Sequence, residues 1–303
     1  MSIRSIAKKF LPDRVVTSVT RTKRKIDRAR VSRLPLLSEA DFRAILTDRL
    51  ALESGDTVYV HSSIDQLNLA FPFYGVLSLL QDVIGPKGTV LLPTYPNRNI
   101  SSYEYLLAGN VFDVRRTPSY TGLLTEFARR QKNAIRSLHP TKSVCAIGPS
   151  AAELTATHQN SAWPYDECSP YFKLIQHKAK IVGLGVWTQY LSFVYCVDDA
   201  LKENPPVRTY YPETFAGRCI DYQGQEVIVE TYAHDMRRCI HDIPRYMKTH
   251  IPPELCEDLT INGMRFFRAD APKLFARMLA LAKDGITVYP RSVYSETFLA
   301  QLK

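Results

Sequence analysis

Four short runs of aliphatic and β-branched residues, each closed by glycine, proline or a polar turn, constrain the fold of this 303-residue chain more than any other feature. They are Thr57-Val58-Tyr59-Val60, Thr89-Val90-Leu91-Leu92, Val144-Cys145-Ala146-Ile147 and Lys180-Ile181-Val182-Gly183-Leu184-Gly185. Each is almost continuously apolar, the pattern of strands covered on both faces. Helical segments separate them. Ser38-Glu39-Ala40-Asp41 has the hydroxyl and acid of a capping box, and Phe42, Ile45, Leu46 and Leu50 follow at helical period. Residues 74–84, 121–131, 150–157 and 169–174 read as further helices. The alternation predicts an α/β fold: a layered α/β/α sandwich around a central, mostly parallel mixed sheet. Beyond residue 203 the spacing predicts a hairpin over 218–230 turning at Gln223-Gly224, a helix from Ala271 to Lys283, and a strand-like end at Ile286-Thr287-Val288-Tyr289.

Charge divides the chain differently. Residues 1–34 hold eleven Lys and Arg against Asp13 and Asp27; removing these from the totals of 39 and 30 leaves 28 basic and 28 acidic residues in a neutral body. We therefore expect a basic arm over 1–36 and one domain over 37–303. Ile3, Ile6, Phe10 and Leu11 give the arm an apolar face beside its charges. It suits peripheral contact with an anionic membrane, or packing on the body or on a second subunit of a homo-oligomer. No aromatic residues interleave as a nucleic-acid platform requires, so no nucleic-acid partner is expected. No apolar run reaches spanning length, and the first residues lack the apolar core of a secretory signal. The expected location is cytoplasmic, with the inner membrane face as the peripheral site. The six cysteines contain no C-x-x-C pair and read as reduced, with no metal site.

Three polar segments stand out. His61-Ser62-Ser63 ends the first strand, where α/β sheets bind ligands, although the two serines also suit capping. Ser119, Thr121 and Gly122 open a helix, where free N–H groups meet an anion and glycine permits close approach; an ordinary cap behind Pro118 explains them equally. His139-Pro140-Thr141-Lys142-Ser143 is the densest polar cluster, with Pro140 forcing His139 to be extended and its imidazole expected to project from a loop.

In order and content these segments resemble the aminoglycoside N3-acetyltransferase family. The match runs through Gly55 to Ser63, Gly85 to Thr89, Pro93-Thr94, Phe112-Asp113, Thr117 to Ser119, Gly122 to Glu126, Arg136 to Ser143, Ser169 to Leu174 and Gly183 to Gly185, covering residues 38–200. The resemblance implies an acetyl-CoA co-substrate, no metal, and an amine acceptor on a sugar. It places His61, Ser62, Ser63, Ser119, Thr121 and Gly122 near the pantetheine and phosphates of CoA. The family's general base is a His just after the Gly-x-Gly strand, with Glu three positions on. Here Tyr195 stands there, and Asp198 follows it. A Tyr near pKa 10 is a poor base for an amine at neutral pH. Three readings follow: His139 serves as base with Asp198 or Asp199 assisting, the amine arrives neutral with Tyr195 orienting it, or the cleft is kept without the reaction. The neutral body lacks the acidity that resistance enzymes use for polycationic drugs. The resemblance therefore implies an N-acyltransferase for an amino sugar in glycan or polysaccharide assembly, with aminoglycoside 3-N-acetylation or non-catalytic CoA and glycan binding as alternatives.

Overall fold

The computed structural model describes residues 26–202 and 204–290. The basic arm lies outside these residues as far as position 25. Its described remainder is fixed to the body: Arg30 donates to Gln66 at 3.0 Å, and Asn68 donates to the Leu34 carbonyl at 2.6 Å.

Among the described residues ten strands form two sheets. They are β1 (Thr57–Ser62), β2 (Thr89–Pro93), β3 (Val111–Asp113), β4 (Ile135–Arg136), β5 (Val144–Ile147), β6 (Lys180–Leu184), β7 (Phe215–Ile220), β8 (Glu226–Thr231), β9 (Cys256–Ile261) and β10 (Met264–Asp270). The large sheet runs β4-β5-β2-β1-β6-β10-β9; the small one runs β3-β7-β8. At the centre β2, β1 and β6 are parallel, with Tyr59 opposite both Leu91 and Ile181. Antiparallel partners flank this trio, β5 beside β2 and β10 beside β6.

Alternation along β1 divides the core in two. Val58 and Val60 face helices α1 (Glu39–Ala44), α2 (Gly75–Ile84) and α4 (Leu123–Arg129), with Phe42, Leu80 and Leu124 buried among them; α3 (Ser102–Leu107) lies against β7. Tyr59 faces the opposite layer, where α6 (Pro170–Gln176), α7 (Tyr195–Leu201), α8 (Ile243–His250) and α9 (Ala271–Lys283) contribute Leu174, Val197, Met247 and Leu274; the short α5 (Ala151–Thr155) adds Leu154. Helices on both faces of a mixed sheet with a parallel centre make the expected α/β/α sandwich. Ser38 caps α1 reciprocally with Asp41, as its spacing predicts, and the 218–230 hairpin forms as β7 and β8. No helix among the described residues is long and apolar enough to cross a membrane.

One local reading is corrected, and one hairpin is new. Ile286–Tyr289 is not a strand: the Thr287 hydroxyl takes the Tyr289 N–H at 3.2 Å, and the backbone bonds of Ile286 N–H to the Leu281 carbonyl and of Asp242 N–H to the Val288 carbonyl run to no neighbouring strand. Its last two residues, Val288 and Tyr289, are instead buried, with Tyr289 turned towards α7. A hairpin absent from the expectations above, β9–β10, extends the sheet beyond β6. It turns at Asn262-Gly263, whose φ values of 50° and 76° fit the mirror-image turn this dipeptide favours.

Candidate active site

Because β2, β1 and β6 are parallel, their carboxyl ends open at one edge of the sheet. His61 sits there on β1, paired with Gly183 of β6. Its ring is wedged edge-on to Tyr59, 4.8 Å between centroids, and beside Phe267. Burial pushes its pKa down to about 3, so the imidazole is neutral. Its Nε2 and the neighbouring Ser62 Oγ are buried polar atoms with no hydrogen-bond partner in the protein. Ser63 is committed locally: its hydroxyl donates to Asp65 at 2.6 Å and its N–H to the Leu184 carbonyl at 2.9 Å.

Two glycines make this edge possible. Any Cβ on Gly183 would stand 2.1 Å from the Phe267 ring, and one on Gly185 would stand 2.3 Å from the Ser63 carbonyl oxygen, at a φ of +74°. The Gly-x-Gly element thus lets the neighbouring strand and the strand tip close together.

The second segment meets the first. A Cβ on Gly122 would lie 3.5 Å from the Ser62 carbonyl oxygen, so the mouth of α4 faces the tip of β1. The helix begins at Leu123, two residues later than its sequence suggests, because Gly122 has φ +143° and serves as N-cap without a side chain. Ser119 and Thr121 are not conventional caps. The Thr121 hydroxyl donates to the Pro93 carbonyl at the end of β2, and Ser119 Oγ lies 2.8 Å from Thr121 Oγ1 and 3.0 Å from Thr125 Oγ1. Glu126 accepts the Ser119 N–H at 2.7 Å. This net pins residues 119–122 across the ends of β1 and β2.

His139 corrects an expectation. It does not project from a loop but is wholly buried, with Nδ1 accepting the N–H groups of Thr141 and Lys142 at 3.2 and 3.0 Å. Nε2, which then carries the proton, reaches Thr231 Oγ1 at 3.2 Å. Pro140 explains the depth, since a Cβ on Gly217 of β7 would touch its ring at 2.4 Å. Burial and the nearby His158 hold this imidazole neutral.

Tyr195 opens α7 and is partly exposed. Its ring lies 4.6 Å from His234 and 5.1 Å from Tyr165, and the Cys239 thiol lies 3.8 Å from its hydroxyl. Burial raises this phenol well above 10, so it does not ionise at neutral pH. Asp198, one turn further along, is buried and accepts the Tyr289 hydroxyl and, at 3.4 Å, that of Thr209; burial raises its pKa to about 7. Asp199 accepts Tyr165 N at 2.6 Å and the Tyr210 hydroxyl at 2.7 Å.

Tyrosines from distant segments complete the chamber. The Tyr171 hydroxyl lies 2.8 Å from that of Tyr95 and 3.0 Å from the Lys142 carbonyl, and Tyr59 reaches Ser192 at 3.3 Å. The ammonium of Lys142 stands 5.2 Å from the centre of the Tyr95 ring. Burial pulls its pKa down to about 8, and no carboxylate among the described residues raises it. His234, stacked on Tyr210 at 4.2 Å with Nε2 unpartnered, is a second group that the sequence alone does not flag, because it follows a strand with no motif around it. No cluster of three His, Cys, Asp or Glu able to hold a metal occurs among the described residues.

Against known proteins, the family model described as aminoglycoside 3-N-acetyltransferase matches residues 59–281. Aminoglycoside N(3)-acetyltransferase IX of Micromonospora chalcea is 33% identical over 152 residues, 45% of this chain and 53% of that enzyme. Aminoglycoside N(3)-acetyltransferase VII of Streptomyces paromomycinus is 29% identical over 210 residues, 64% of this chain and 67% of that enzyme. The chain thus spans about half to two thirds of the length of these relatives. Among solved structures, aminoglycoside acetyltransferase AAC(3)-Xa superposes with a TM-score of 0.71 at 20% identity, over 87% of this chain and 99% of that one. The binary complex of AAC-IIIb with CoASH superposes at 0.68 and 19% identity, over 84% and 98%.

Proposed function

Since the chain belongs to the aminoglycoside 3-N-acetyltransferase family, we propose that it transfers an acetyl group from acetyl-CoA to the amine of an amino sugar in glycan assembly. The convergence of Gly122 on the tip of β1, beside two buried polar atoms that lack partners, carries this reading. Such atoms cost free energy unless a ligand satisfies them. His61 Nε2, Ser62 Oγ and the uncapped first turn of α4 suit the amide and phosphate groups of CoA, while Ser119 and Thr121 hold that turn in place. Ser63 fixes the strand tip through Asp65.

Acetyl-CoA supplies the activated thioester. The neutral sugar amine attacks the acetyl carbon, a C–N bond forms, the C–S bond breaks, and one proton passes from nitrogen to the departing thiolate. No acyl-enzyme is needed. Lys142 relays that proton: it is partly exposed, weakly basic for a lysine, and held by His139 and Tyr171 through its backbone. His139 positions Lys142, Tyr195 orients the acceptor, and Asp198 anchors α7 through Tyr289. The acceptor is a single amine rather than a polycation, because the two acids of the chamber, Asp198 and Asp199, are buried and already engaged with hydroxyl or backbone donors. Residues 1–34 would hold the enzyme at an anionic membrane face; equal flotation of full-length and truncated protein on anionic vesicles sinks that part.

Incubation with acetyl-CoA and a panel of amino-sugar nucleotides, read as free-thiol release, tests the activity. Silence across the panel would defeat it. The relatives' names support a second acceptor class, the aminoglycosides; turnover of gentamicin-type drugs above that of any amino-sugar nucleotide selects this reading instead. Binding of CoA without turnover of either class would leave a binding protein only.

A further inference from the structure

Five arginines cluster near the Thr117–Ser119 turn. There a cleft of about 460 Å³ is walled by Arg115, Arg116, Arg129, Arg130 and Arg136, with Tyr222 at one side. Two carboxylates stand near these five guanidinium groups and pair with two of them, Asp113 with Arg116 at 3.9 Å and Glu126 with Arg129, which leaves Arg115, Arg130 and Arg136 without a paired acid among the described residues. Asp113 accepts the N–H groups of Arg115 and Arg116 at 2.9 Å each. Glu126 holds Arg129 through two contacts of 2.6 and 2.8 Å and also takes the Ser119 N–H.

Arg136 is the unusual member. Only 3% exposed, it donates solely to neutral oxygens: the hydroxyls of Thr94 and Ser143 at 3.1 Å and the carbonyls of Thr117 and Thr94. Its guanidinium lies over the Phe112 ring at 4.6 Å. A buried cation with no carboxylate bonded to it is costly, and burial together with the charge of Arg129 works against its protonated form, with Glu126 opposing them only in part. An anion in the cleft offsets that cost. Arg115, braced on Tyr222 at 5.5 Å, and Arg130, exposed on the rim, can reach such an anion without breaking a structural bond. Planar guanidinium groups match phosphate oxygens bidentately, and a diphosphate carries enough oxygens and charge to engage several of them at once.

We propose that this arginine cleft is a phosphoryl-binding subsite for a diphosphate or nucleotide group. It deepens the acyltransferase reading and borders the same site: Glu126 bonds Ser119 on one side and Arg129 on the other, and Arg136 holds the Thr117 carbonyl. The group has two sources, the 3′-phospho-ADP end of the coenzyme or the diphosphate of an activated sugar. Both share the chemistry.

Calorimetry on the full chain with inorganic pyrophosphate, 3′,5′-ADP and UDP tests it without requiring turnover. We expect pyrophosphate to bind, with affinity falling about tenfold in Arg130→Gln and again in Arg115→Gln/Arg130→Gln, and weakening with salt. Arg43→Gln, on another face, should leave it unchanged. Displacement of CoA by 3′,5′-ADP assigns the subsite to the coenzyme; binding of UDP alongside saturating CoA assigns it to the acceptor. No heat with any of the three ligands, or affinities unaltered in the double variant, overturns the subsite even if acetyl transfer is observed. Conversely, pyrophosphate binding lost in the double variant upholds the subsite even if no acceptor is ever acetylated.

Discussion

The strand-tip crossing and the tyrosine chamber adjoin, yet they handle polar groups in opposite ways. At the crossing, glycines bring backbones together and leave His61 Nε2 and Ser62 Oγ without partners. In the chamber, acids are buried but held by hydroxyl or backbone donors, and their charge is suppressed. The first arrangement fits a place reserved for a ligand that brings its own donors and acceptors. The second resembles a preset environment in which pKa values, rather than free valences, are tuned. This contrast is what the proposed transfer rests on, in which Lys142 rather than Tyr195 moves the proton.

Replacing Lys142 by Met tests the chamber's side most severely. We predict a loss of 10²–10⁴ in kcat with little change in the KM for acetyl-CoA, the range general acid–base help supplies. In the parent, kcat should rise with pH to a plateau above about 8. The sign for stability is also fixed. The native lysine releases its proton near 8 while the unfolded one keeps it to 10.5, so parent stability climbs between those values. The melting temperature of Lys142→Met should therefore exceed the parent's at pH 7, with the gap closing towards pH 10.5. A parent-like kcat in the variant removes Lys142 from the mechanism.

Gly185→Ala attacks the crossing through its backbone. The positive φ and the 2.3 Å approach to Ser63 should cost about 2–4 kcal/mol. Coenzyme binding should vanish with the geometry, while thermal unfolding shifts down by several degrees. An unchanged melting temperature would show that the strand tip tolerates opening.

A smaller effect sharpens the contrast. His61→Phe fills the same slot against Tyr59 and Phe267 without an unpartnered nitrogen. We expect equal or higher stability and a roughly tenfold weaker Kd for CoA, about 1.4 kcal/mol. With the parent imidazole neutral down to about pH 3, that Kd should be flat between pH 5 and 8 as far as His61 is concerned. Loss of stability with unaltered affinity would mean the residue only packs.

Asp198→Asn should have the least effect, below tenfold in kcat, since an amide oxygen can still accept from Tyr289. Its pH signature is diagnostic. The native acid holds its proton to about 7 and the unfolded one to 3.8, so parent stability falls as pH rises across that window. The variant lacks this decline, and differential scanning calorimetry at pH 5 and pH 8 should show the gap in its favour widening.

The two regions also differ in how far the sequence exposes them. The central strands read correctly because a strand covered on both faces needs apolar residues at every position, as Val58 to Val60 and Ile181 to Val182 show. The two segments of the crossing were visible, since His61-Ser62-Ser63 and Ser119 to Gly122 are each contiguous, but only the family resemblance joined them. The depth of His139 was not, because it depends on Pro140 meeting Gly217 some eighty residues away in sequence. The chamber draws Tyr59, Tyr95, Tyr165, Tyr171 and Tyr195 from separate elements, and no local pattern marks a tyrosine that will meet four others. The β9–β10 hairpin carried a usable signal in Asn262-Gly263, partly masked by Glu257, Asp258, Arg265 and Arg268 along an outer pair of strands.

The antiparallel pairing of β10 with β6 has a cost for the ribosome. Lys180–Leu184 obtains its second neighbour only from Phe266–Asp270, translated some eighty residues later. At about 5–20 residues per second, roughly 4–16 s pass with an aliphatic ladder edge awaiting its partner. Expression yield should therefore track chaperone supply and growth temperature more steeply than the finished molecule's own melting point.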